Sequence, residues 1–291
     1  MVDMQTGLII RREASGLGFT PPASVPIAAL VLGRPVAEAA TILPRVFNLC
    51  RGAQTLAVRL ALGLETHNPS GAAMQALQAD ILQDHLANLW VIWPMLLGLP
   101  VQPLNKDVWG GEAPTDLVRW MSSGRGVAPV LAAIAKGFAP GEAAASLPLV
   151  RPETALRDCA QENSVAARHD QHGLMQQVET SYGRGPLWHV LARVLDVGAC
   201  LTGALPTPQV LADGTAIVPA ARGAYALRAR AVAGMVTSLE RRTPTDHLCA
   251  PKGALAQALA TLPAQKYRLA PVVVGILSPC VPVQFQEVTD A

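Results

Sequence analysis

Apolar residues recur at intervals of three and four along much of the first hundred residues. Over residues 74–92 this spacing places Leu77, Ile81 and Leu89 on one face of a helix, with His85 among them. Alanine and leucine are abundant, whereas runs of β-branched residues are short. Because alanine and leucine favour helices and β-branched residues favour strands, this pattern predicts a fold built mainly from packed α-helices.

The expected fold class is mainly α with minor β, an α+β fold, in a single domain over residues 1–291. The strongest strand pattern is YRLAPVVVGILSP, residues 267–279. We expect a strand pair or an extended arm within residues 1–44, and an irregular loop over residues 99–116. The predicted helices cover residues 52–65, a longer stretch from 74 that ends near 94–98, the regions around 115–137 and 153–178, a helix beginning at Pro186, the segment 221–240, and a short helix after Ala250.

The composition excludes two classes of partner. The chain has 291 residues, of which 51% are hydrophobic and 15% charged, and its formal net charge is +2. So small a charge gives no field for binding nucleic acid or an anionic membrane surface. Residues 86–105 are uncharged, but their three prolines favour a buried core helix over a membrane span. No apolar run near the N-terminus is long enough for a signal peptide, so we expect a cytoplasmic protein.

The histidines and most of the cysteines carry no strong functional pattern. Five cysteines, at positions 50, 159, 200, 249 and 280, form no CxxC pair and no disulfide framework. Free cysteines are most often small buried residues, and we assign that role to Cys159 and Cys200. His169 and His172 form an HxxH in a charged stretch, which indicates a solvated patch, and His189 is interpreted as a core histidine.

Cys50 and Cys280 lie in more suggestive settings. Cys50 precedes a predicted helix, whose N-terminal dipole favours a thiolate, and Arg45 and Arg51 add positive charge nearby. Cys280 follows the predicted strand and a proline, which stiffens its backbone. About 230 residues separate the two cysteines, so only the fold could bring them together.

The stretch RVFNLCRGAQ around Cys50 resembles a motif of the nickel–iron hydrogenase large subunits. In that family the motif RxCGxCxxxH supplies two of the four thiolates of the metal centre. Arg45 and Cys50 match it here, whereas Phe47 replaces the first cysteine, Asn48 the glycine and Gln54 the histidine. The resemblance therefore keeps one thiolate of this pair.

The stretch SPCVPVQFQ resembles the second motif of the same family, DPCxxCxxH. Pro279 and Cys280 match, and Ser278 replaces the aspartate. Val283 stands at the position of the last cysteine, and Gln286 at that of the histidine. Again one thiolate of two remains, so the four-thiolate nickel site of the family cannot form, and no nickel is expected.

Two further stretches support the resemblance, which implies a helical core like that of the large subunit. QADILQDHLANLW resembles a family helix with an Asp-His pair, here Asp84 and His85. CAPKGALAQAL resembles the family's EAPRGALGHW, with Cys249 for the glutamate and Lys252 for the arginine. In the family that arginine donates hydrogen bonds to cyanides on the iron, so the resemblance implies that role for Lys252.

A centre reduced to two thiolates is similar to that of the HoxV/HupK-type hydrogenase maturation proteins. The resemblance implies a non-enzymatic scaffold that transiently holds an iron fragment with cyanide and carbonyl ligands, Fe(CN)2(CO), on Cys50 and Cys280. It implies two partners: the complex that assembles this iron group, with its small chaperone, and a hydrogenase large-subunit precursor. The residues expected around the thiolates are Lys252, Pro251, His85 and Arg45.

Two other functions stay open at this stage. A degenerate hydrogenase relative could act as a metal-free chaperone of hydrogenase assembly, which would need neither cysteine. A cysteine-dependent hydrolase would need Cys50 as nucleophile within reach of His85 as base. Cys249, three residues before Lys252, is a candidate third thiol, and a small buried residue at a helix entry is an equal interpretation.

Overall fold

The structure is a computed structural model that describes residues 7–14, 16–23, 26–46, 50–66, 69 and 71–286. Helices form most of its regular secondary structure, and two small sheets complete the predicted α+β fold. The α-helices, numbered in chain order, are α1 (Ile27–Val31), α2 (Val36–Val46), α3 (Arg51–Ala61), α4 (Gly71–Ala87), α5 (Trp93–Leu97), α6 (Leu117–Met121), α7 (Ala128–Gly137), α8 (Gly173–Tyr182), α9 (Pro186–Thr202), α10 (Pro244–Leu248), α11 (Ala254–Ala260) and α12 (Ala270–Leu277).

The strands form one sheet of three and one of four. They are β1 (Leu8–Glu13), β2 (Gly16–Thr20), β3 (Gln209–Val210), β4 (Ala216–Ala220), β5 (Gly223–Val232), β6 (Met235–Arg242) and β7 (Val283–Gln286). In the first sheet β1 is central, antiparallel to β2 and parallel to β7, with Leu8 opposite Val283. The second sheet has the order β3-β4-β5-β6, with every pair antiparallel. The predicted strand pair in residues 1–44 is confirmed as β1 and β2, and the rest of that region contributes α1 and α2.

The helical periodicity identifies the faces that build the core. Leu56 and Leu60 of α3 and Leu77 and Ile81 of α4 are buried in one apolar cluster, as their spacing predicts. α4 packs against α9, whose start at Pro186 also agrees with the prediction. Burial of these apolar faces provides the main driving force for folding.

The uncharged stretch after α4 continues as a helix but changes from α-helical to π-helical hydrogen bonding. A π-helical turn, Asn88–Ile92, connects α4 to α5, and Gly98 ends α5 with a left-handed φ of 68°. Trp93 in α5 is completely buried. Among the described residues no helix is long and apolar enough to cross a membrane, in agreement with the expected core helix.

The helix predicted over residues 221–240 is wrong, because this segment forms the hairpin of β5 and β6. Its alanines and arginines favour a helix locally. However, Tyr225, Leu227 and Ala229 share one face of β5 and are buried in one apolar cluster, while Ala226 is buried in a second cluster on the opposite face. Ala233 and Gly234, both at positive φ, make the turn between the strands.

The strand predicted over residues 267–279 is also wrong. A 3₁₀-helix, Ala264–Leu269, leads into α12, which contains the Val-Val-Val run. Val272, Val273 and Val274 are all buried, so they pack on several sides of the helix. When every residue of a run is apolar, the sequence shows neither the two-residue spacing of a strand nor the three-to-four-residue spacing of a helix, so the pattern cannot distinguish the two.

Two predicted helices are shorter than expected. The region 115–137 divides into α6 and α7 at Gly124 and Gly126, which both have positive φ. In the region 153–178 only the part from Gly173 onward is α-helical, preceded by 3₁₀ turns at Pro152–Thr154 and Val165–Arg168. The predicted loop over residues 99–116 contains no helix or strand, as expected.

Candidate functional site

Cys50 stands immediately before α3 in a left-handed backbone conformation with φ 56°. Its carbonyl accepts the hydrogen bond of the Gln54 amide over 3.1 Å, which begins the helix. The Gly52 amide donates to Oδ2 of Asp80 in α4 over 2.8 Å. A Cβ atom at Gly52 would lie 2.6 Å from that oxygen, so glycine leaves room for the Asp80 carboxylate to bind the start of α3 beside the cysteine.

Cys280 lies between the end of α12 and β7. Ser278, with φ 53°, ends the helix, so Cys280 follows a helix and not the predicted strand. The Cys280 amide donates to Oγ1 of Thr245 over 2.8 Å. The Leu8 amide donates to the carbonyl of Pro282 over 2.8 Å, and the pairing of β7 with β1 continues from there. The backbone around Cys280 is therefore held on both sides.

The fold brings the side chains of Cys50 and Cys280 into hydrogen-bond contact. The hydrogen bond from Cys50, together with Arg222 and a hydrogen bond from Thr245, outweighs burial and lowers the pKa of Cys280 to about 6. The same contact with Cys280, together with burial, raises the pKa of Cys50 well above its usual value. At neutral pH the pair therefore holds one proton and one negative charge between its two sulfurs.

Arg222 is the cation of this site, and the sequence motifs did not identify it. Its Nη1 donates to the sulfur of Cys50 over 3.5 Å, and its Nε donates to the carbonyl of Ser278 over 2.9 Å. Burial would lower the pKa of Arg222, but Cys280 and Asp84 outweigh burial and raise it, so the guanidinium stays charged. The one available signal is that Arg222 is the single charge in the stretch TAIVPAARGAYAL.

Asp84, predicted from the Asp-His pair, anchors this cation. Its Oδ1 lies 3.1 Å from Nη2 of Arg222, and its Oδ2 lies 2.9 Å from Nη1 of Arg193. Asn88, the first residue of the π-helical turn, donates to Oδ2 over 3.2 Å. Burial would raise the pKa of the Asp84 carboxyl, but the two arginines hold it below its usual value. Asp84 is thus ionised and fixed between two guanidinium groups.

His85 points away from the cysteines, into a buried polar network. It is completely buried, and its Nε2 lies 2.7 Å from Oδ2 of Asp196, while Nη1 of Arg193 lies 3.4 Å from its Nδ1. Asp196 also accepts hydrogen bonds from Arg168 and from Nε2 of His169. Burial lowers the pKa of His85, so its imidazole is neutral and donates Nε2–H to Asp196.

Three other residues expected around the thiolates lie at the surface. Arg45, in the last turn of α2, is exposed, and so are Pro251 and Lys252. Lys252 has a left-handed φ of 59° just before α11. In the described part of the chain, the groups that hydrogen-bond to the sulfur of Cys50 or of Cys280 include Arg222 and Thr245, and these surface residues are not among them.

Cys249, the candidate third thiol, ends α10 and is half-buried. Burial, and to a smaller extent the charges of Asp246 and Cys280, raise its pKa to about 12. It is therefore a protonated thiol whose pKa is affected by the charge of Cys280.

Cys50 lines a cleft of about 410 Å³. Its polar lining comprises Cys50, Arg51, Asp80, Asp84 and Arg222, with Gln83 at one wall. The side chains that the structure describes include no group of three or more His, Cys, Asp or Glu residues arranged to hold a metal ion. The donor set is thus the cysteine pair, and two sulfur ligands suit a soft metal.

The hydrogenase motifs have two further cysteines, and the structure describes one of the two corresponding positions in this chain. Phe47, like Asn48, lies outside the described residues. Val283 begins β7, where it is half-buried opposite Leu8.

The other histidines and cysteines singled out in the sequence bring two corrections. His169, predicted to lie in a solvated patch, is largely buried, and its Nε2 lies 2.7 Å from Oδ1 of Asp196. His172 accepts the Leu174 amide at the start of α8, and His189 is buried beside Trp188. Cys200 is buried as expected, and burial raises its pKa to about 12. Cys159, however, is exposed, because the helix that would have buried it does not form.

Comparisons with known proteins agree with the motif resemblance. No protein-family model matches the chain. Its fold is similar to that of the nickel–iron–selenium hydrogenase of Desulfovibrio vulgaris Hildenborough, with a TM-score of 0.62 and 14% identity over 92% of this chain and 94% of that chain. An NAD+-reducing nickel–iron hydrogenase gives a TM-score of 0.54 and 14% identity over 91% and 92% of the two chains. These likenesses show the fold of the hydrogenase large subunit.

One relative is much more similar in sequence. The hydrogenase expression/formation protein HupK of Rhodobacter capsulatus is 50% identical over 298 aligned residues, which cover 98% of each chain. Identity at this level over nearly the whole length extends well beyond the cysteine motifs. The chain therefore belongs to the HupK family of hydrogenase expression/formation proteins.

Proposed function

We propose that the chain is a maturation scaffold that transiently holds an iron–cyanide–carbonyl fragment on Cys50 and Cys280. The fragment then passes to a nickel–iron hydrogenase large-subunit precursor. The observation that carries this proposal is the contact between two cysteines about 230 residues apart, beside a buried cation, with Cys50 lining a cleft.

The donor set fits a metal fragment better than a bare metal ion. A bare ion bound by a protein alone usually needs four or more ligands, and the described side chains offer two sulfurs here. An iron that arrives with two cyanides and one carbonyl already has three ligands, so two thiolates from the protein raise its coordination number to five. Binding also requires Cys50 to lose its proton, which a positive metal centre promotes.

Arg222 supports the proposal as a hydrogen-bond donor. Cyanide on iron carries negative charge on its nitrogen, and a guanidinium with N–H groups aimed into the site can donate to it. The resemblance assigned this role to Lys252, whose side chain is exposed. We therefore give the role to Arg222, which already contacts the Cys50 sulfur and is fixed by Asp84.

The scaffold function implies delivery and release in the cytoplasm. The complex that assembles the iron group, with its small chaperone, would supply the fragment through the cleft. The large-subunit precursor would remove it. Two thiolates hold a metal less firmly than four, which suits a site that must release its cargo. Nickel and turnover of hydrogen form no part of the proposal, because Val283 offers no thiolate at the last cysteine position.

A metal-free chaperone of hydrogenase assembly is the second candidate. It shares the large-subunit fold and needs neither cysteine. A cysteine-dependent hydrolase finds less support, because both ring nitrogens of His85 face Asp196 and Arg193 and neither serves Cys50 as a base.

Infrared spectroscopy distinguishes the first two functions. The protein is purified without air from cells that make a hydrogenase, and the cyanide and carbonyl stretching bands are recorded with the iron content. The scaffold predicts bands that disappear in Cys50→Ala and in Cys280→Ala. The exposed Cys159→Ala is the matched control, and it should keep them. A spectrum without these bands, with iron near zero, would replace the scaffold with the metal-free chaperone.

A further inference from the structure

Arg222 lies in a two-residue turn whose backbone is not of the kind best suited to a hairpin. Ala221 and Arg222 connect β4 to β5, with Ala220 paired to Gly223. Two-residue hairpin loops favour type I′ or II′ turns, which need positive φ at one or both central residues. Neither Ala221 nor Arg222 has a positive φ, so other contacts must hold the turn that carries the site's cation.

The side chain of Arg168 makes such contacts. Its Nη1 donates to the carbonyl of Ala220 over 3.1 Å and to the carbonyl of Gly223 over 3.3 Å. These two carbonyls flank the turn on either side, so one guanidinium spans it. Arg168 is largely buried, where a hydrogen bond is harder to replace with water.

Asp196 fixes the other edge of the same guanidinium. Its Oδ1 accepts from Nε of Arg168 over 2.7 Å, and its Oδ2 pairs with Nη2. This carboxylate projects from the long helix α9, is completely buried, and also accepts from His85 and His169. The fork of Arg168 therefore joins a rigid carboxylate to a turn of the second sheet.

We infer that Arg168 is a positioning residue for the cysteine pair. It holds the β4–β5 turn at the place where Arg222 reaches Cys50, Ser278 and Asp84 together. A lysine at position 168 would keep a charge opposite Asp196, but its ammonium could not span both carbonyls while paired with the carboxylate. The inference rests on the proposed function only in naming the cysteine pair as the cargo site.

The test observes the Arg222 side chain directly, by nuclear magnetic resonance. The Nε–H group of Arg222 donates to Ser278 and should exchange slowly with solvent. Its signal is assigned by its absence in Arg222→Lys. In Arg168→Lys and in Arg168→Gln we expect this group to exchange about tenfold faster, because the turn loses hydrogen bonds that fix it. The control is Arg228→Gln, which removes an arginine paired with Asp213 and Glu240 at the surface, and it should leave the exchange rate unchanged.

Backbone amide exchange separates positioning from general loosening of the fold. If core amides of α9 keep their protection in Arg168→Lys while the Arg222 side chain exchanges faster, the positioning role stands. An unchanged Arg222 rate, or an equal acceleration of the core amides, would overturn it. Arg168→Lys decides the question if Arg168→Gln fails to fold. Protein without cargo serves for this experiment, so a blank infrared spectrum would remove the scaffold function and leave this result intact.

Discussion

Nη1 of Arg222 donates to the sulfur of Cys50 over 3.5 Å, and the opposite edge of the same guanidinium pairs with Asp84. A cation in this place stabilises negative charge on the cysteine pair, and the hydrogen bond between the two sulfurs stabilises it further. The site therefore favours one thiolate through the charges of the protein alone.

The free energy of unfolding should depend on pH through Cys280. Its pKa is about 6 in the folded protein, against about 8.5 for an unfolded cysteine. The folded state therefore releases its proton first, and this contribution is lost as pH falls through about 6. Between a pH of about 7 and about 8.5 it should raise the free energy of unfolding by about 1.5 kcal/mol.

Urea unfolding of the parent and of Cys280→Ala at these two pH values measures this contribution. In Cys280→Ala the free energy of unfolding should lose this contribution between the two pH values, whereas Cys159→Ala should retain it. The buried histidines have lowered pKa values, so their contributions are confined to pH values below about 6.5. Cys50, Cys200 and Cys249 keep their protons in the folded protein, so their ionisation in the unfolded chain offsets part of this increase and lowers the free energy of unfolding further above about 8.5. An identical pH dependence in Cys280→Ala would contradict the assignment of the thiolate.

Asp84→Asn should destabilise the protein strongly. The change removes the carboxylate that pairs with the buried Arg193, and it also removes the ion pair between Asp84 and Arg222. Breaking a buried ion pair from one side costs about 3–5 kcal/mol. The comparison is Asp213→Asn, which breaks an exposed pair with Arg228 and should cost less than about 1 kcal/mol. Urea midpoints of the two variants give the difference, and equal midpoints would mean that Asp84 is not a buried anchor.

Gly52→Ala should destabilise the junction that positions Cys50. The added Cβ would lie 2.6 Å from Oδ2 of Asp80, so the Asp80 side chain must move away and its hydrogen bond with the Gly52 amide must break. Loss of a hydrogen bond to a charged group costs about 1.5–3 kcal/mol, which exceeds the gain in helix propensity from alanine. The matched control is Gly198→Ala in α9, where the new methyl group meets no atom within 4 Å.

The control should be stabilised by about 0.5–1 kcal/mol, because alanine favours a helix over glycine. Thermal unfolding of the two variants should therefore shift in opposite directions. An increase in the melting temperature of Gly52→Ala would show that the contact with Asp80 yields without cost.

The helices were predictable where their burial is one-sided. α3 and α4 show the period of a helix because one face meets the core and the other does not. α9 is buried over most of its surface, and its start was predictable from Pro186 in the first turn. α12 was predicted as a strand because its valines are buried all round and leave no period. β5 was predicted as a helix because its alanines and arginines have helical propensity, which cross-strand pairing overrides.

The site was predictable only in the residues that carry the motif. Cys50, Cys280 and Asp84 follow from the resemblance, and the structure brings the two cysteines together. Arg222 and Arg168 were missed because each is a single arginine with no local pattern. Arg222 meets Cys50 across a separation of 172 residues, and only tertiary structure defines such contacts.

The parallel pairing of β7 with β1 has a consequence for biosynthesis. The site needs Cys280 beside Cys50, and this closes a loop of about 230 residues. Closing such a loop costs about 5 kcal/mol of chain entropy. The pairing of β7 with β1 helps to offset this cost, and it forms only when β7 is available. While the ribosome is still translating the middle of the chain, Cys50 lacks its partner sulfur. Under the proposed function, the polypeptide would therefore accept the iron fragment only after the residues that follow α12 have been synthesised.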